Sequence, residues 1–222
     1  MDRIMGRTRN RSLPAGRVSD TQALAFGLAL GVGAFAVLAI FVNLLAALLA
    51  LSAIVFYVVI YTMWLKRTTT QNIVIGGAAG AVPVLVGWAA VTHSVGWAAV
   101  WMFAIIFLWT PPHFWALSLV LKKDYARAGV PMLPVVKGEA ETYRQIVLYL
   151  VILLLASLGL CATHAMGRLY LVVALATGGG LLALGVRLAR SQSLKHANAL
   201  FWFSNYYLAI LFAAMVVDRV WR

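Results

Sequence analysis

The 222-residue chain is 64% hydrophobic and only 11% charged, with a mean hydropathy of +0.93. Soluble domains lie nearer half apolar and about a quarter charged, so this much apolar surface cannot be hidden in one soluble core, and the chain is a polytopic membrane protein. A net charge of +12 would suggest nucleic acid in a soluble domain, but here the cations stand between apolar runs and first of all set topology.

The chain opens "MDRIMGRTRNRSLPAGRVSD", with five arginines, Asp2 and Asp20. Such an Arg-rich, acid-poor start is also the composition of an organelle transit peptide. It has no amphipathic apolar stripe, however, and it abuts the first apolar run directly. That run covers residues 23–65, twice the roughly 20 residues that one span needs, with Asn43 as the turn between two spans. Further spans are predicted at 73–92, 97–119, 146–163, 169–186 and 200–217, which makes seven. Pro83 lies within the third, and Pro111 and Pro112 within the fourth, where each frees backbone groups for neighbours to satisfy. "GGAAG" at 76–80 and "GGG" at 178–180 resemble phosphate loops only superficially, since small residues inside spans permit close helix packing. Cys161 is the only cysteine and sits in an apolar run, which excludes a disulfide framework and a cysteine-rich metal site.

Charge orients the spans. With a cytoplasmic N-terminus, 15 of the 18 Lys and Arg fall inside; only Arg168, Arg219 and Arg222 fall outside. Five of the six acids (Asp2, Asp20, Asp124, Glu139 and Glu141) share that inner side, and Asp218 is the exception. The outer connections are short, so polar chemistry belongs on the inner face. Two inner segments mix cations, an aspartate and a Pro/Gly turn: the opening, and "KKDYARAGVPMLPVVKGEAETYR" after the fourth span. Arg and Lys bind phosphate oxygens, and a carboxylate or two can hold Mg²⁺ on a phosphate ligand. Together they could form a diphosphate site; separately, such clusters merely set topology and meet lipid headgroups.

Four strings occur in order: "RTRNRSLPAGRVS", "TQNIVIGGAAGAVPVLVGWAAVT", "LWTPPHFWALSL" and "KDYARAGVPMLPVVKGEAET". With "LFWFSNYYLAILFAAMVVDR" at the end, the series resembles the protoheme IX farnesyltransferase (heme O synthase) family of UbiA-type intramembrane prenyltransferases. The resemblance covers essentially the whole chain. It implies an all-α, polytopic transmembrane helix bundle, with seven spans present of nine, forming a single integral-membrane prenyltransferase domain over 1–222 that lacks its first two spans. Family members carry an N-x-x-x-D-x-x-x-D-type motif that runs into M-x-R-T-x-x-R-P-L-P-x-G-R. Here Asp2 resembles the last aspartate of that motif, and "RSLP" replaces the usual "RPLP". The expectation is an N-terminally truncated chain whose reading frame continues upstream with two spans and the missing Asn and Asp.

The activity implied by the resemblance is transfer of farnesyl from farnesyl diphosphate to a vinyl group of heme b, with water then supplying a hydroxyl, to give heme O and diphosphate. The rival is prenylation of a quinone-type aromatic acceptor; a transporter, an assembly protein or an inactive fragment are the non-catalytic alternatives. The implied setting is a bacterial cytoplasmic (inner) membrane with the active face cytoplasmic, with lipid and the downstream heme A synthase as partners and no nucleic acid. The implied cofactor is Mg²⁺, held by Asp2 and Asp124, which are also the catalytic candidates. Asp124 stands alone where other branches have D-x-x-x-D, so it is also open to reading as a helix cap or ion-pair partner. Candidate phosphate-contacting cations are Arg7, Arg11, Lys66, Lys123 and Lys137. Tyr125 and Trp115 are further substrate-binding candidates, and Trp109, Phe114, Tyr57 and Tyr61 could line the apolar cavity as aromatic shields or serve as interface anchors. His113, the one histidine near the inner half of a span, either contacts heme or satisfies backbone freed by Pro111 and Pro112. His93, His164 and His196 fall in connections.

This topology predicts that reporters fused after Lys66, Lys137 and Arg222 read inside, inside and outside. An outside reading after Lys137 would break the shared inner face.

Overall fold

The computed structural model describes residue 8 and residues 10–221. Seven helices are long and apolar enough to cross a membrane, matching the number expected from hydropathy. The first, α1 (Asp20–Phe41), starts with a reciprocal cap in which Ser19 and Gln22 each accept the other's backbone N–H. The second span is continuous over Leu44–Thr68 but changes winding along its length. It comprises α2 (Leu44–Val55), a π-helical stretch (Phe56–Leu65) and α3 (Lys66–Thr68). A ten-residue π segment is unusual, since such windings mostly occur as single turns.

Asn43 makes the turn expected of it and does more. Its Oδ1 accepts from the Ala46 N–H at 2.8 Å, capping α2, while its Nδ2 donates to the Ala89 carbonyl at 2.9 Å. Ala89 belongs to α4 (Asn72–Thr92), so one side chain starts a helix and ties it to its neighbour. Next come α5 (Trp97–Val120), the short α6 (Lys122–Arg127) and α7 (Leu133–Val136), then α8 (Gly138–Ala162), α9 (Arg168–Ser191) and α10 (Leu194–Val220). Two starts precede those expected from apolarity: α8 begins at Gly138 rather than 146, and α10 at Leu194 rather than 200. Both extra turns are polar yet helical. With 27 residues, α10 rises about 40 Å, so its ends project beyond a hydrocarbon layer of about 30 Å.

The helices α5, α8, α9 and α10 pack as a closed group, α5 against α8, α8 against α9, α9 against α10 and α10 back against α5. Its core includes Ile105, Ile146, Leu153, Leu181 and Leu200. Polar atoms within it are satisfied: Tyr207 Oη and Ser157 Oγ lie 2.6 Å apart, and Tyr170 donates to the Ser157 carbonyl at 2.8 Å. Asp218, the one acid at the opposite end, is buried and accepts from the Gly167 and Tyr170 N–H groups, capping α9. On the other side of α5 the helices succeed one another as α4, α2 and α1, and α1 buries no residue.

The glycine runs act in packing, as small residues in spans do. A Cβ on Gly76 would stand 2.3 Å from the Tyr61 ring, and one on Gly77 2.9 Å from Thr110 Cγ2; one on Gly178 would stand 2.7 Å from Leu154. Gly80 has nothing within 4 Å of that position. Gly76→Ala should therefore push the Tyr61 ring off the helix and destabilise by about 1–3 kcal/mol, whereas Gly80→Ala should be near neutral. Thermal unfolding of the two variants in the same detergent checks this; equal midpoints would refute the close approach.

Candidate functional site

The chemistry-bearing residues gather at the end of the bundle where α5 gives way to α6 and α7. After α5 the chain bends at Leu121, forms α6, and turns back through "AGVPML" into α7. Gly129 (φ +64) and Gly138 (φ +84) bracket this hairpin in a backbone region that other residues enter only with strain. Underneath, Ile73 of α4 packs with Val130 and Met132, and Tyr125, Ala128 and Val135 close around them. The hairpin is thus held down on the start of α4 by apolar contacts.

Two cavities flank it. One, of about 470 Å³, is lined by Lys122, Lys123, Asp124, Arg127, Glu139 and Gln192, among others. The other, of about 410 Å³, is lined by Thr70, Gln71, Trp115, Leu133, Lys137, Glu141 and Gln145. The candidates from the loop are therefore divided. Lys123 and Asp124 share the first cavity, Lys137 and Trp115 share the second, and Tyr125 packs in the hairpin between them. Arg11 is exposed in the turn before α1, and Lys66 is half-buried at the end of the second span; neither lines either cavity. Asp2 and Arg7 lie outside the described residues.

In the first cavity Lys122 Nζ donates to Glu139 Oε1 at 2.7 Å, and the Tyr143 hydroxyl donates to Oε2 at 3.2 Å. Asp124, in the first turn of α6, is 3.9 Å from Arg127 in an open i,i+3 pair. Lys123 and Lys137 make no ion pair within 4 Å among the described residues. The first cavity thus offers one lightly paired carboxylate beside an uncommitted ammonium. Among the described residues no group of three or more His, Cys, Asp or Glu could hold a metal ion. A hard divalent cation at Asp124 would depend for its other ligands on substrate oxygens and water, which is the usual habit of Mg²⁺.

His113 sits elsewhere. It is buried between α5 and α10, stacked on Trp109 (4.3 Å between centroids) and Phe201 (4.6 Å), with Phe114 edge-on. Its Nδ1 lies 2.7 Å from Ser204 Oγ, and Trp109 Nε1 donates to the Ser204 carbonyl at 2.8 Å. The geometry is that of a helix-packing group, with one ring nitrogen engaged. Trp109 shares that interface, while Tyr57 and Tyr61 pair at 5.2 Å on the π segment. Two groups beside the second cavity escaped the sequence reading: Gln71, which lines it, and Asn72, buried as the next residue. The signal was an amide opening an otherwise apolar span.

The model of the UbiA prenyltransferase family matches residues 1–214. The protoheme IX farnesyltransferase of Gloeobacter violaceus is 56% identical over 221 residues, 99% of this chain and 72% of that protein. The protein of the same name from Symbiobacterium thermophilum is 52% identical, over 98% of this chain and 74% of its own length. The one from Roseiflexus sp. (strain RS-1) is 55% identical, and there the chain spans only 41% of the relative. In fold, the chain is similar to a solved structure described in work on digeranylgeranylglyceryl phosphate synthase in membranes. The TM-score is 0.76 at 20% identity, covering 100% of this chain and 77% of that one.

The buried pair at α5–α10 yields a stability prediction. Ser204→Ala leaves a buried ring nitrogen of His113 without its partner, which should lower stability by about 1–3 kcal/mol. Denaturation of the variant in detergent checks this, and an unchanged midpoint would show that the hydrogen bond contributes nothing.

Proposed function

We propose that this chain, which belongs to the UbiA prenyltransferase family, transfers the farnesyl group of farnesyl diphosphate to a vinyl group of protoheme IX, water adding to the carbocation so formed, to give heme O, diphosphate and a proton. What carries this reading is identity of 52–56% over nearly the whole chain to relatives that all bear the name protoheme IX farnesyltransferase. The setting is a multi-pass helix bundle in a bacterial inner membrane, with the 122–137 end facing the cytoplasm, where positive-inside charge puts it. A heme A synthase downstream is the partner that would consume the product.

The residues of the first cavity suit the departure of a diphosphate. As the allylic C–O bond breaks, negative charge concentrates on the leaving oxygens, and fixed cations already in place stabilise it without reorganising. Lys123 supplies such a charge from the start of α6, and Arg127 adds another one turn on. Asp124 is the residue that would hold Mg²⁺ together with the diphosphate; the cation would neutralise charge developing there. Lys122 is already bonded to Glu139, so it shapes the cavity wall more than it meets substrate. Asp2 and Arg7, on the same side by charge pattern, are proposed as the second carboxylate and a further phosphate contact. The apolar farnesyl chain lies toward the lipid, which suits its hydrocarbon surface.

Asp124→Asn tests the carboxylate. The amide keeps size and hydrogen bonding but loses the charge, so protein levels in membranes should hold while heme O formation falls roughly a hundredfold or more. Near-normal heme O at matched protein levels would make Asp124 a mere partner of Arg127. Farnesylation of a quinone precursor in place of heme would overturn the acceptor.

A further inference from the structure

Two guanidinium groups near the end of α9 stand without a counter-charge. Arg187 and Arg190 are exposed and three residues apart, which makes them neighbours on the helix surface. Neither forms an ion pair among the described residues. Both line one cavity of about 970 Å³ that runs along α9, and no Asp or Glu is among the described residues lining it. His196, from the start of α10, closes the same end, its Nδ1 2.6 Å from Ser191 Oγ. Basic residues at an inner helix end commonly do no more than set topology. These two differ in what lies beneath them.

Away from the arginines the cavity turns apolar, with Leu182, Ala183 and Val186 along its wall, and it reaches Gly179 in mid-span. The three consecutive glycines divide their roles here. A Cβ on Gly178 would meet Leu154 at 2.7 Å and one on Gly180 would meet Phe203 at 3.3 Å, so those two serve packing. One on Gly179 would have no atom within 4 Å, so this glycine opens a notch that no neighbouring side chain approaches. From Gly179 to Arg190 the helix rises about 17 Å, close to half of a hydrocarbon layer of about 30 Å. The cavity therefore spans one leaflet, apolar from the midplane and cationic at headgroup depth.

We propose that this cavity is a site for one anionic phospholipid of the inner leaflet. Its phosphodiester is held by Arg187 and Arg190, and one acyl chain lies along α9 down to Gly179. Guanidinium groups bind phosphate oxygens bidentately. Two of them with no carboxylate beside them repel the ammonium of a zwitterionic headgroup, so the pair selects a lipid of net negative charge. The cavity shares no lining residue with the two beside the α6–α7 hairpin, so this lipid does not compete with the proposed chemistry.

The full chain, purified in detergent, is offered phosphatidylglycerol and phosphatidylcholine of the same acyl chains, and the retained lipid is read by native mass spectrometry. The wild type should prefer phosphatidylglycerol by roughly tenfold, and the double variant Arg187→Gln/Arg190→Gln should lose that preference. Gly179→Leu tests the groove itself. Its side chain meets no neighbour, so the unfolding midpoint without lipid should hold while phosphatidylglycerol retention falls severalfold. Two controls separate a site from general charge and bulk. Arg67→Gln removes an exposed cation at the end of the second span, and Gly80→Leu enlarges an equally open glycine elsewhere. Both should retain lipid as the wild type does. Equal loss in Arg67→Gln and in the arginine double variant overturns the site. So does unchanged retention in the double variant and in a folded Gly179→Leu; should Gly179→Leu fail to fold, the double variant decides against Arg67→Gln. Saturating farnesyl diphosphate should leave the bound lipid in place, and its displacement would give the groove to the prenyl donor and overturn the proposal.

Discussion

A peptide group inside hydrocarbon has no water to bond, so every backbone donor and acceptor there must be met within the protein. The whole arrangement of this chain follows from that. It forces seven uninterrupted helices, and it confines irregular backbone to the span ends. Even the prolines obey it: Pro83, Pro111 and Pro112 lie inside helices that continue past them. Near the proline pair, hydroxyls turn back onto the helix, Thr110 donating to the Ile106 carbonyl and Ser118 to that of Trp115. Chemistry that needs charged side chains is thereby driven to one end, where α6 and α7 can break the helical ladder.

Once polar groups are satisfied, helix association in lipid rests mainly on close van der Waals packing. Gly76, Gly77, Gly178 and Gly185 each meet a neighbouring side chain where a Cβ would collide. These contacts fix register as well as distance. The level at which Gly77 meets Thr110 sets how far α4 and α5 are slid past one another. In the same way the α5–α10 contact places His113 against Ser204, and Trp109 Nε1 on the carbonyl of the same serine.

Span number and the turn at Asn43 were legible because long apolar runs and a lone amide have few readings. The early start of α8 was not. "GEAETYR" reads as a polar loop, yet Glu139 and Glu141 lie in the helix's first turn, where negative charge meets the positive dipole end. Nor could hydropathy reveal the π segment, since Phe56–Leu65 is apolar in any winding. The site was only partly readable. Lys123, Asp124 and Lys137 stand out as charges, but nothing in one dimension shows that the hairpin divides them between two cavities. His113 drew notice as an ionisable group in a span, whereas its partner Ser204 lies 91 residues away and carries no mark of its own. Asn72 passed unnoticed because an amide near a span end normally finds water or backbone; only burial without a partner sets it apart.

The hairpin that carries the candidate residues is held mainly by uncharged means, and its charges explain why. The Lys122–Glu139 pair has side chains 38% and 43% exposed, so it is worth at most about 1 kcal/mol. Pairing Lys123 or Lys137 in the same manner would add little stability and would neutralise the charges proposed to meet a diphosphate. Instead Ile73, Val130 and Met132 anchor the hairpin from below, and Gly129 and Gly138 let it reverse direction at both ends. Burial of that apolar cluster, unlike an ion pair, is not weakened by salt or by an incoming phosphate. The division of labour is physical: apolar contacts position the segment, and its cations stay available beside it.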